Sequence, residues 1–123
     1  MALNLNEFKR FEKQIVLKKI GISGQKKIKR AKVLIIGMGG LGCPLLLYLA
    51  SSGINNVGIV DHDKIELGNL NRQILFNTSD LGKYKVNQAK VKVKKIYNRI
   101  KIKTFKTKIS KRNIKSILTK YDV

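Results

Sequence analysis

The sequence predicts an α/β fold, a Rossmann-like, doubly wound and mainly parallel sheet. Residues 32–36 and 57–60 are short β-branched runs without polar alternation, as in strands that are buried on both faces. Between them lie a glycine-rich turn, residues 37–42, and apolar residues at helical spacing. Strand, turn, helix and strand in this order form a βαβ unit, and such units build parallel sheets.

The segment before this unit is expected to be helical. A first helix is predicted from a cap at Asn6 to about Lys19, and Gly21 is expected to end it. A second, shorter helix is predicted at about residues 24–31. The apolar side of the first helix would be formed by Phe8, Phe11, Ile15 and Leu17.

Helical spacing also predicts the elements that follow the glycine turn. The helix after the turn is expected to run to Ser52, and Gly53 is expected to stop it. After a polar stretch, apolar residues recur every three to four positions, which predicts a helix from about Lys83 to Asn98. Residues 100–105 then resemble a third strand.

The last residues predict one more helix and the start of a strand. Ser110 is expected to cap the helix, and Asp122 and Val123 read as the beginning of a fourth strand. In the strand order 3-2-1-4 that is usual for this fold, the fourth strand pairs beside the first. Without it, an apolar strand would become a sheet edge. We therefore expect a truncated or partial sequence, cut after about three strands. The apolar face of the last helix would carry Ile114, Ile117, Leu118 and Tyr121.

The composition bounds the class of protein. The 123 residues suffice for one domain or part of one. The 27 basic and 7 acidic side chains give a net charge of +20, which favours anionic partners. Because residues 33–63 contain no Lys or Arg, the excess falls on helix-like flanking segments, as solvated faces do. Nucleic-acid binding is therefore not favoured as the main function.

The single cysteine and the uncharged stretch of residues 33–60 exclude further classes of protein. Cys43 alone excludes an internal disulfide framework and a Cys-rich zinc cluster, and it fits a reducing cytoplasm as a small packing residue. Residues 33–60 are uncharged, but glycines, Pro44 and two asparagines interrupt them. We therefore expect no membrane-spanning segment and no membrane partner.

The glycine turn is a candidate phosphate-binding loop. Gly37, Gly39 and Gly42 fit the pattern G-x-G-x-x-G, with a strand before it and a helix after it. The unpaired N–H groups at the start of that helix can bind phosphate oxygens. No Gly-Lys-Ser/Thr follows, so the loop is not of the Walker type.

Asp61 is a candidate ribose ligand. A helix of ~12 residues climbs ~18 Å, and five strand residues return over ~17 Å. Asp61 should therefore lie at the carboxyl end of the second strand, beside the glycine turn, where a carboxylate can accept a ribose hydroxyl. The alternative is an acid that only caps a loop.

The polar residues after Asp61 help to identify the nucleotide. The glycine turn and Asp61 alone leave NAD(P) and a mononucleotide equally open. Arg72 and Lys85 are cations available to phosphates at this rim of the sheet. ATP, and a reaction that expels pyrophosphate, need more charge stabilisation than NAD does. The polar loop between Asp61 and Lys85 also supplies Asn69, Asn71 and Gln73.

Several motifs together resemble those of the ThiF/MoeB superfamily, whose members activate ubiquitin-like proteins. The motifs are G-x-G-G-L-G, L-A-x-x-G, D-x-D-x-[apolar]-E-x-x-N-L-x-R-Q and G-x-x-K, and the resemblance runs from about Arg10 to Val123. It implies that ATP and Mg²⁺ are bound and that a small ubiquitin-like or sulfur-carrier protein ending in Gly-Gly is the substrate. The carrier's terminal carboxylate would attack the α-phosphate, giving an acyl-adenylate and pyrophosphate.

The resemblance also implies roles for individual residues. Asp61 would bind the ribose, and Arg72 and Lys85 would be the catalytic cations. Asp63 and Glu66 would brace the loop. Phosphate would be bound by Gly37, Gly39, Gly40 and Gly42, and the nucleotide-contact loop would consist of Gly68, Asn69, Leu70, Asn71 and Arg72.

Three departures from the family pattern are visible. Lys13 stands in the first helix where the family has an Arg that reaches ATP in the partner subunit of a homodimer. Gly68 stands where Ser or Thr is usual. The Asp that holds Mg²⁺ is expected beyond Val123, so no metal ligand is assigned in this chain.

The predicted organisation is an N-terminal helical segment, residues 1–31, followed by an ATP-binding Rossmann-like domain of the ThiF type, residues 32–123, incomplete at its C-terminus. The predicted function is that of the nucleotide-binding half of a cytoplasmic adenylyltransferase, with little turnover on its own. The alternatives are the NAD(P)-binding half of an oxidoreductase and a relative of the tRNA threonylcarbamoyladenosine dehydratases.

Overall fold

Three parallel strands form one open sheet in the computed structural model, which describes residues 2–123. The strands are β1 (Lys32–Ile36), β2 (Asn56–Val60) and β3 (Lys101–Phe105). The helices are α1 (Leu5–Ile15), α2 (Gly21–Arg30), α3 (Gly42–Ser52), α4 (Lys85–Ile96) and α5 (Ile114–Leu118). Two single-turn 3₁₀ helices, Leu67–Asn69 and Thr78–Asp80, lie between β2 and α4.

The strand order confirms the predicted Rossmann-like sheet. β2 is central, with β1 and β3 on either side and both pairs parallel. Beyond β1, the N–H of Val123 donates to Lys32 O at 3.4 Å, and the N–H of Leu34 donates to Val123 O at 2.9 Å. This alternation is that of a parallel pair. The last residue therefore begins to pair beside β1, as the order 3-2-1-4 predicts.

The core lies between one face of the sheet and the helices α3 and α4. Ile35, Ile59 and Ile102 point to this face, where Leu46 of α3 and Val93 of α4 are buried. Phe11 of α1 belongs to the same cluster and contacts the ring of Tyr97 edge-on, at 5.7 Å between centroids. The N-terminal helices thus pack on the same core as the sheet.

The other face of the sheet is only partly covered. Ile36 is 54% exposed there, so the prediction that the first strand is buried on both faces is wrong for this residue. α3 and α4 cover the opposite face. On the face that carries Ile36, the side chain of Tyr121 lies across the sheet at Gly58. A Cβ on Gly58 would overlap the phenol of Tyr121, so this close approach requires glycine.

The first helix begins and ends earlier than predicted. Asn4, not Asn6, caps α1: its side chain accepts the N–H of Glu7, and the Glu7 carboxylate accepts the N–H of Asn4, both at 2.9 Å. This reciprocal capping box needs an acid three residues after the cap, which Asn6 lacks. α1 ends at Ile15, and Gly21, with φ of 59°, opens α2 instead of ending α1.

The last helix is shorter than predicted and is not capped by Ser110. α5 begins only at Ile114. Before it, the Asn113 side chain accepts the N–H of Ser110 at 2.9 Å and donates to Lys108 O at 3.0 Å. These bonds hold residues 110–113 in a turn, because a local Asn contact competes with helix formation.

The other predicted elements are confirmed to within a few residues. β1 and the end of α3 fall where they were expected, and Gly53 ends α3 in the left-handed region at φ of 98°. Within residues 2–123, no helix is long and apolar enough to cross a membrane.

Candidate functional site

The glycine-rich loop connects β1 to α3 by a tight turn, and two positions of this turn require glycine. The N–H of Gly37 donates to Val60 O at 2.7 Å and extends the strand pairing, while its φ of 100° turns the chain. A Cβ on Gly42 would collide with the carbonyl of Gly37. The loop can therefore close tightly only because both positions are glycine.

The start of α3 offers several unpaired N–H groups. Among residues 2–123, the amides of Gly39, Gly40 and Leu41 have no hydrogen-bond acceptor. These donors lie at a helix N-terminus, where the aligned peptide dipoles add a partial positive charge. The arrangement is suited to a phosphate group.

Asp61 lies beside this loop, where the sequence places it. Its Oδ2 accepts the N–H of Met38 at 2.7 Å, and its Oδ1 accepts the N–H of Asp63 at 2.8 Å. The carboxylate therefore joins the end of β2 to the glycine loop. Each carboxylate oxygen has a second lone pair, so Asp61 can still accept a hydroxyl.

Arg72 packs across the glycine loop. A Cβ on Gly40 would lie 3.5 Å from Cγ and Cδ of Arg72, so the arginine stem covers this glycine. Nη1 donates to Gly68 O and to Asn71 Oδ1, both at 3.0 Å. Since a guanidinium has five N–H groups, Nε and Nη2 keep three donors. Gly68 and Asn71 thus orient a cation over the loop.

The residues between Asp61 and Arg72 hold the loop through their own contacts. Asn69 Oδ1 accepts the N–H of Glu66 at 3.0 Å, and the N–H of Asn69 donates to Glu66 O at 2.9 Å. Asn69 therefore braces the 3₁₀ turn that precedes Leu70, in addition to the nucleotide contact predicted for it.

Lys85 reaches the same region from the first residue of α4. Its N–H donates to Asp63 O at 3.1 Å, and its Nζ lies 3.9 Å from Asp63 Oδ2. The side chain is 7% exposed. Lys13 is exposed on α1, and within the described residues no hydrogen bond or ion pair joins it to the glycine loop.

Gln73 is a residue of this region that the sequence analysis left without a role. It is 3% exposed, and its Oε1 has no hydrogen-bond partner within the part of the chain that the structure describes. Its Nε2 lies 3.8 Å from the Cβ position of Gly39. The sequence feature that could have indicated a role for Gln73 is its place directly after Arg72 in the motif N-L-x-R-Q.

A cavity of about 290 Å³ opens at the carboxyl ends of the three strands. Asp61, His62 and Asp63 bring ligand atoms within 4.8 Å of one another at its rim. Both Asp61 oxygens already accept N–H groups, and His62 lies 3.2 Å from Asp63 Oδ1. Mg²⁺ prefers oxygen ligands in octahedral geometry, so these residues fit it only incompletely. The lining consists of Ile36, Gly37, Val60, Asp61, His62, Asp63, Thr107, Lys108 and Ile109.

Cys43 is confirmed as a packing residue. It is fully buried in the first turn of α3, and its Sγ lies 3.6 Å from Met38 O. Burial raises the pKa of this thiol to about 11. A thiol that stays protonated is a poor nucleophile, so Cys43 is not a candidate nucleophile.

Comparison with known proteins gives related sequences over nearly the whole chain. The family model described as "ThiF family" matches residues 11–123. The chain is 45% identical over 121 residues to the adenylyltransferase and sulfurtransferase MOCS3 of Culex quinquefasciatus, with 98% of this chain and 28% of the relative covered. It is 41% identical over 122 residues to the probable molybdopterin-synthase adenylyltransferase of Gracilaria tenuistipitata var. liui, covering 99% and 34%. The chain thus spans about a third or less of these relatives' lengths.

Solved structures share the fold. PaaA superposes with a TM-score of 0.81 at 35% identity, covering 89% of this chain and 36% of that one. The Escherichia coli protein MccB, in a crystal structure with ATP, superposes with a TM-score of 0.80 at 32% identity, covering 89% of this chain and 34% of that one. TcdA has a TM-score of 0.88 at 20% identity, covering 97% and 47%, which supports the fold alone.

Proposed function

The chain belongs to the ThiF family, and from this we propose that it is the nucleotide-binding part of an ATP-dependent adenylyltransferase. The reaction is activation of the C-terminal carboxylate of a small ubiquitin-like or sulfur-carrier protein. Several relatives carry the name adenylyltransferase, which supports the reaction class.

The observation that carries the proposal is the contact between the glycine loop and Asp61. The bond from Met38 N–H to Asp61 Oδ2, at 2.7 Å, brings a ribose acceptor and the free amides of the loop together. A nucleoside phosphate needs both, one for its sugar and one for its phosphates. Arg72 adds a fixed cation above Gly40.

The proposed chemistry is transfer of the adenylyl group of ATP to a carboxylate. A carboxylate oxygen of the carrier's last glycine forms a bond to the α-phosphorus of ATP, and the bond to pyrophosphate breaks. The amides of Gly39, Gly40 and Leu41 hold phosphate oxygens, and Arg72 and Lys85 offset the charge that develops on the leaving group. Positioning and charge stabilisation supply the rate acceleration.

The remaining roles extend beyond this single chain. We propose that Lys13 reaches the nucleotide of a partner subunit in a homodimer, from the N-terminal helical segment of residues 1–31. The ATP-binding domain is residues 32–123. Mg²⁺ accompanies ATP and neutralises phosphate charge when bound. The buried, unpaired Cys43 is consistent with action in the cytoplasm.

Pyrophosphate release tests the proposal. Because residues 1–123 alone are expected to turn over little, release is measured with the full-length enzyme, and it should require both ATP and a carrier ending in Gly-Gly. Replacing Arg72→Met should lower kcat about 100-fold, because it removes a preorganised cation. Arg30→Met is the matched control, since Arg30 is exposed at the opposite end of the sheet, at the C-terminus of α2. Its activity should be unchanged.

Two results would contradict the proposal. One is the absence of pyrophosphate release with every Gly-Gly carrier supplied. The other is tight NADH binding that ATP does not displace, which would favour the oxidoreductase alternative.

A further inference from the structure

A second cavity, of about 230 Å³, lies at the amino ends of the strands. The candidate nucleotide site is at their carboxyl ends. Five strand residues at ~3.3 Å each separate the two by about 16 Å. The cavity is lined by Lys32, Asn56, Val57, Lys101, Ile102, Lys103, Lys120 and Tyr121.

The strand register brings the lysines of this cavity together. Lys32 and Lys101 both pair with Asn56, so the first residues of the three strands form a row. Because side chains alternate along a strand, Lys103 lies on the same face as Lys101. The parallel order thus collects basic side chains from two strands that are distant in the sequence.

The C-terminal segment completes the cavity. Tyr121 lies across the same face at Gly58, and Lys120 precedes it. Burial raises the pKa of the Tyr121 phenol, so its hydroxyl stays protonated and can donate. The ring of Tyr121, packed against Gly58, forms an apolar wall on one side of the cavity.

The four ammonium groups have no acidic partner. Within residues 2–123, none of them lies within 4.0 Å of a carboxylate oxygen, whereas Lys29 and Lys92 each have one. The nearest acid in the sequence is Asp122, whose Oδ2 accepts the backbone N–H of Lys32 at 2.9 Å. No acidic side chain lines the cavity. Like charges on the residues of one cavity repel one another, and a multivalent anion bound there relieves the repulsion.

We propose that this cavity binds a small phosphate-type anion carrying at least two negative charges, such as pyrophosphate. The residues that line the cavity and carry side-chain hydrogen-bond donors are the four lysines, Tyr121 and Asn56. Ammonium groups bind phosphate as point charges and need no bidentate geometry. The site is independent of the function proposed for the glycine loop.

Titration of the protein with pyrophosphate tests the site. Binding is measured by calorimetry at constant ionic strength, and amide NMR shifts locate it. The shifts are expected at Asn56, Ile102 and Tyr121. The double variant Lys101→Gln/Lys103→Gln should bind at least about tenfold more weakly, since it removes two of four charges. Both lysines are exposed, so the fold should be retained.

The matched control removes the same charge elsewhere. Lys18→Gln/Lys19→Gln changes two exposed lysines that line neither strand-end cavity, and its affinity should equal that of the unmodified protein. Equal weakening by both double variants would overturn the proposal, because binding would then follow net charge alone. Shifts confined to Gly39 and Gly40 would also overturn it.

A second probe distinguishes a small anion from nucleic acid. Single-stranded oligouridine is titrated at the same phosphate concentration. If pyrophosphate competes with it at Lys101 and Lys103 and binds on its own, the proposal stands. If oligouridine binds there and pyrophosphate does not, the face is a nucleic-acid surface and the proposal is wrong.

Discussion

At the scale of single residues, the site is defined by which polar atoms already have partners. Both Asp61 oxygens and Arg72 Nη1 are occupied by neighbouring groups of the protein. The amides of Gly39 and Gly40 are free within residues 2–123. The contacts of Asp61 and Arg72 hold the site in place, while the free amides and the second lone pairs of the Asp61 oxygens are available to a ligand.

The buried carboxamide of Gln73 should lower the free energy of unfolding of the protein. Its Oε1 is buried without a donor, and such an atom costs about 1–3 kcal/mol. Replacing Gln73→Met should therefore raise the free energy of unfolding in urea by about 1 kcal/mol. A lower free energy of unfolding would mean that the carboxamide makes an essential contact in solution.

Cys43 should resist thiol reagents in the folded protein. Burial raises the pKa of its thiol to about 11, so almost no thiolate exists at pH 8. Labelling by Ellman's reagent at pH 8 should proceed only as the protein opens, whereas in 6 M guanidinium one thiol per chain should react at once. Native labelling as fast as denatured labelling would contradict this expectation.

At the scale of elements, buried polar contacts attach the N-terminal helices to the body of the protein. Glu7 of α1 is 2% exposed and pairs with Lys29 of α2 at 2.8 Å. Gln25 of α2 donates to Ser52 O at the end of α3, also at 2.8 Å. These contacts fix how α1 and α2 pack on α3.

Removing the charge of Glu7 should destabilise the protein. Glu7→Gln leaves the ammonium of Lys29 nearly buried without a counter-ion, which costs about 3–5 kcal/mol. Circular-dichroism melts at pH 7 should show the loss. The double change Glu7→Gln/Lys29→Met should recover part of it, and a loss equal to the sum of the two single changes would contradict the pairing.

The same pair makes stability depend on pH. Burial alone would raise the pKa of Glu7, but hydrogen bonds from Lys29 and from Asn4 N–H outweigh it and hold the pKa below its ordinary value of 4.5. This stability is therefore present above pH 4.5 and is lost as the pH falls through the lowered pKa. Glu7→Gln should show a flatter acid dependence in that range.

Gly53 should not tolerate a side chain. Its φ of 98° disfavours other residues, and a Cβ would lie 2.7 Å from Gln25 Nε2 and 2.8 Å from Phe11 Cζ. Gly53→Ala should cost about 2–4 kcal/mol from backbone strain and overpacking. Gly68→Ala is the control, because no atom lies within 4 Å of its Cβ position, and it should change stability by less than about 0.5 kcal/mol.

At the scale of the whole molecule, the net charge of +20 makes electrostatic repulsion the main effect of the surface charges on stability. Self-repulsion of this charge destabilises the folded state and is screened by salt, since the Debye length falls from about 30 Å at 0.01 M to about 8 Å at 0.15 M. Tm should therefore rise when NaCl is added over this range. Sucrose is the control, because it adds solute without screening charge. A Tm that falls with NaCl would contradict the expectation.

The sequence by itself determined the local elements and the order of the motif. β-branched runs, a glycine turn and helical spacing depend on neighbouring residues, so β1, the loop and the end of α3 could be predicted from the sequence. The position of Asp61 beside the loop followed from the rise per residue of one helix and one strand. The cap of α1 was missed because Asn4 and Asn6 both suit a cap, and the acid at position 7 selects Asn4.

Only the tertiary structure decided which side chains meet across the chain. Gln73 is buried against the glycine loop, Arg72 lies over Gly40, and Lys32 shares a cavity with Lys101 although 69 positions separate them. No local pattern encodes these contacts, because they depend on strand register and on how the connecting segments return to the sheet. The physical reason is that charge and burial act through space, whereas sequence spacing reports only on neighbours along the chain.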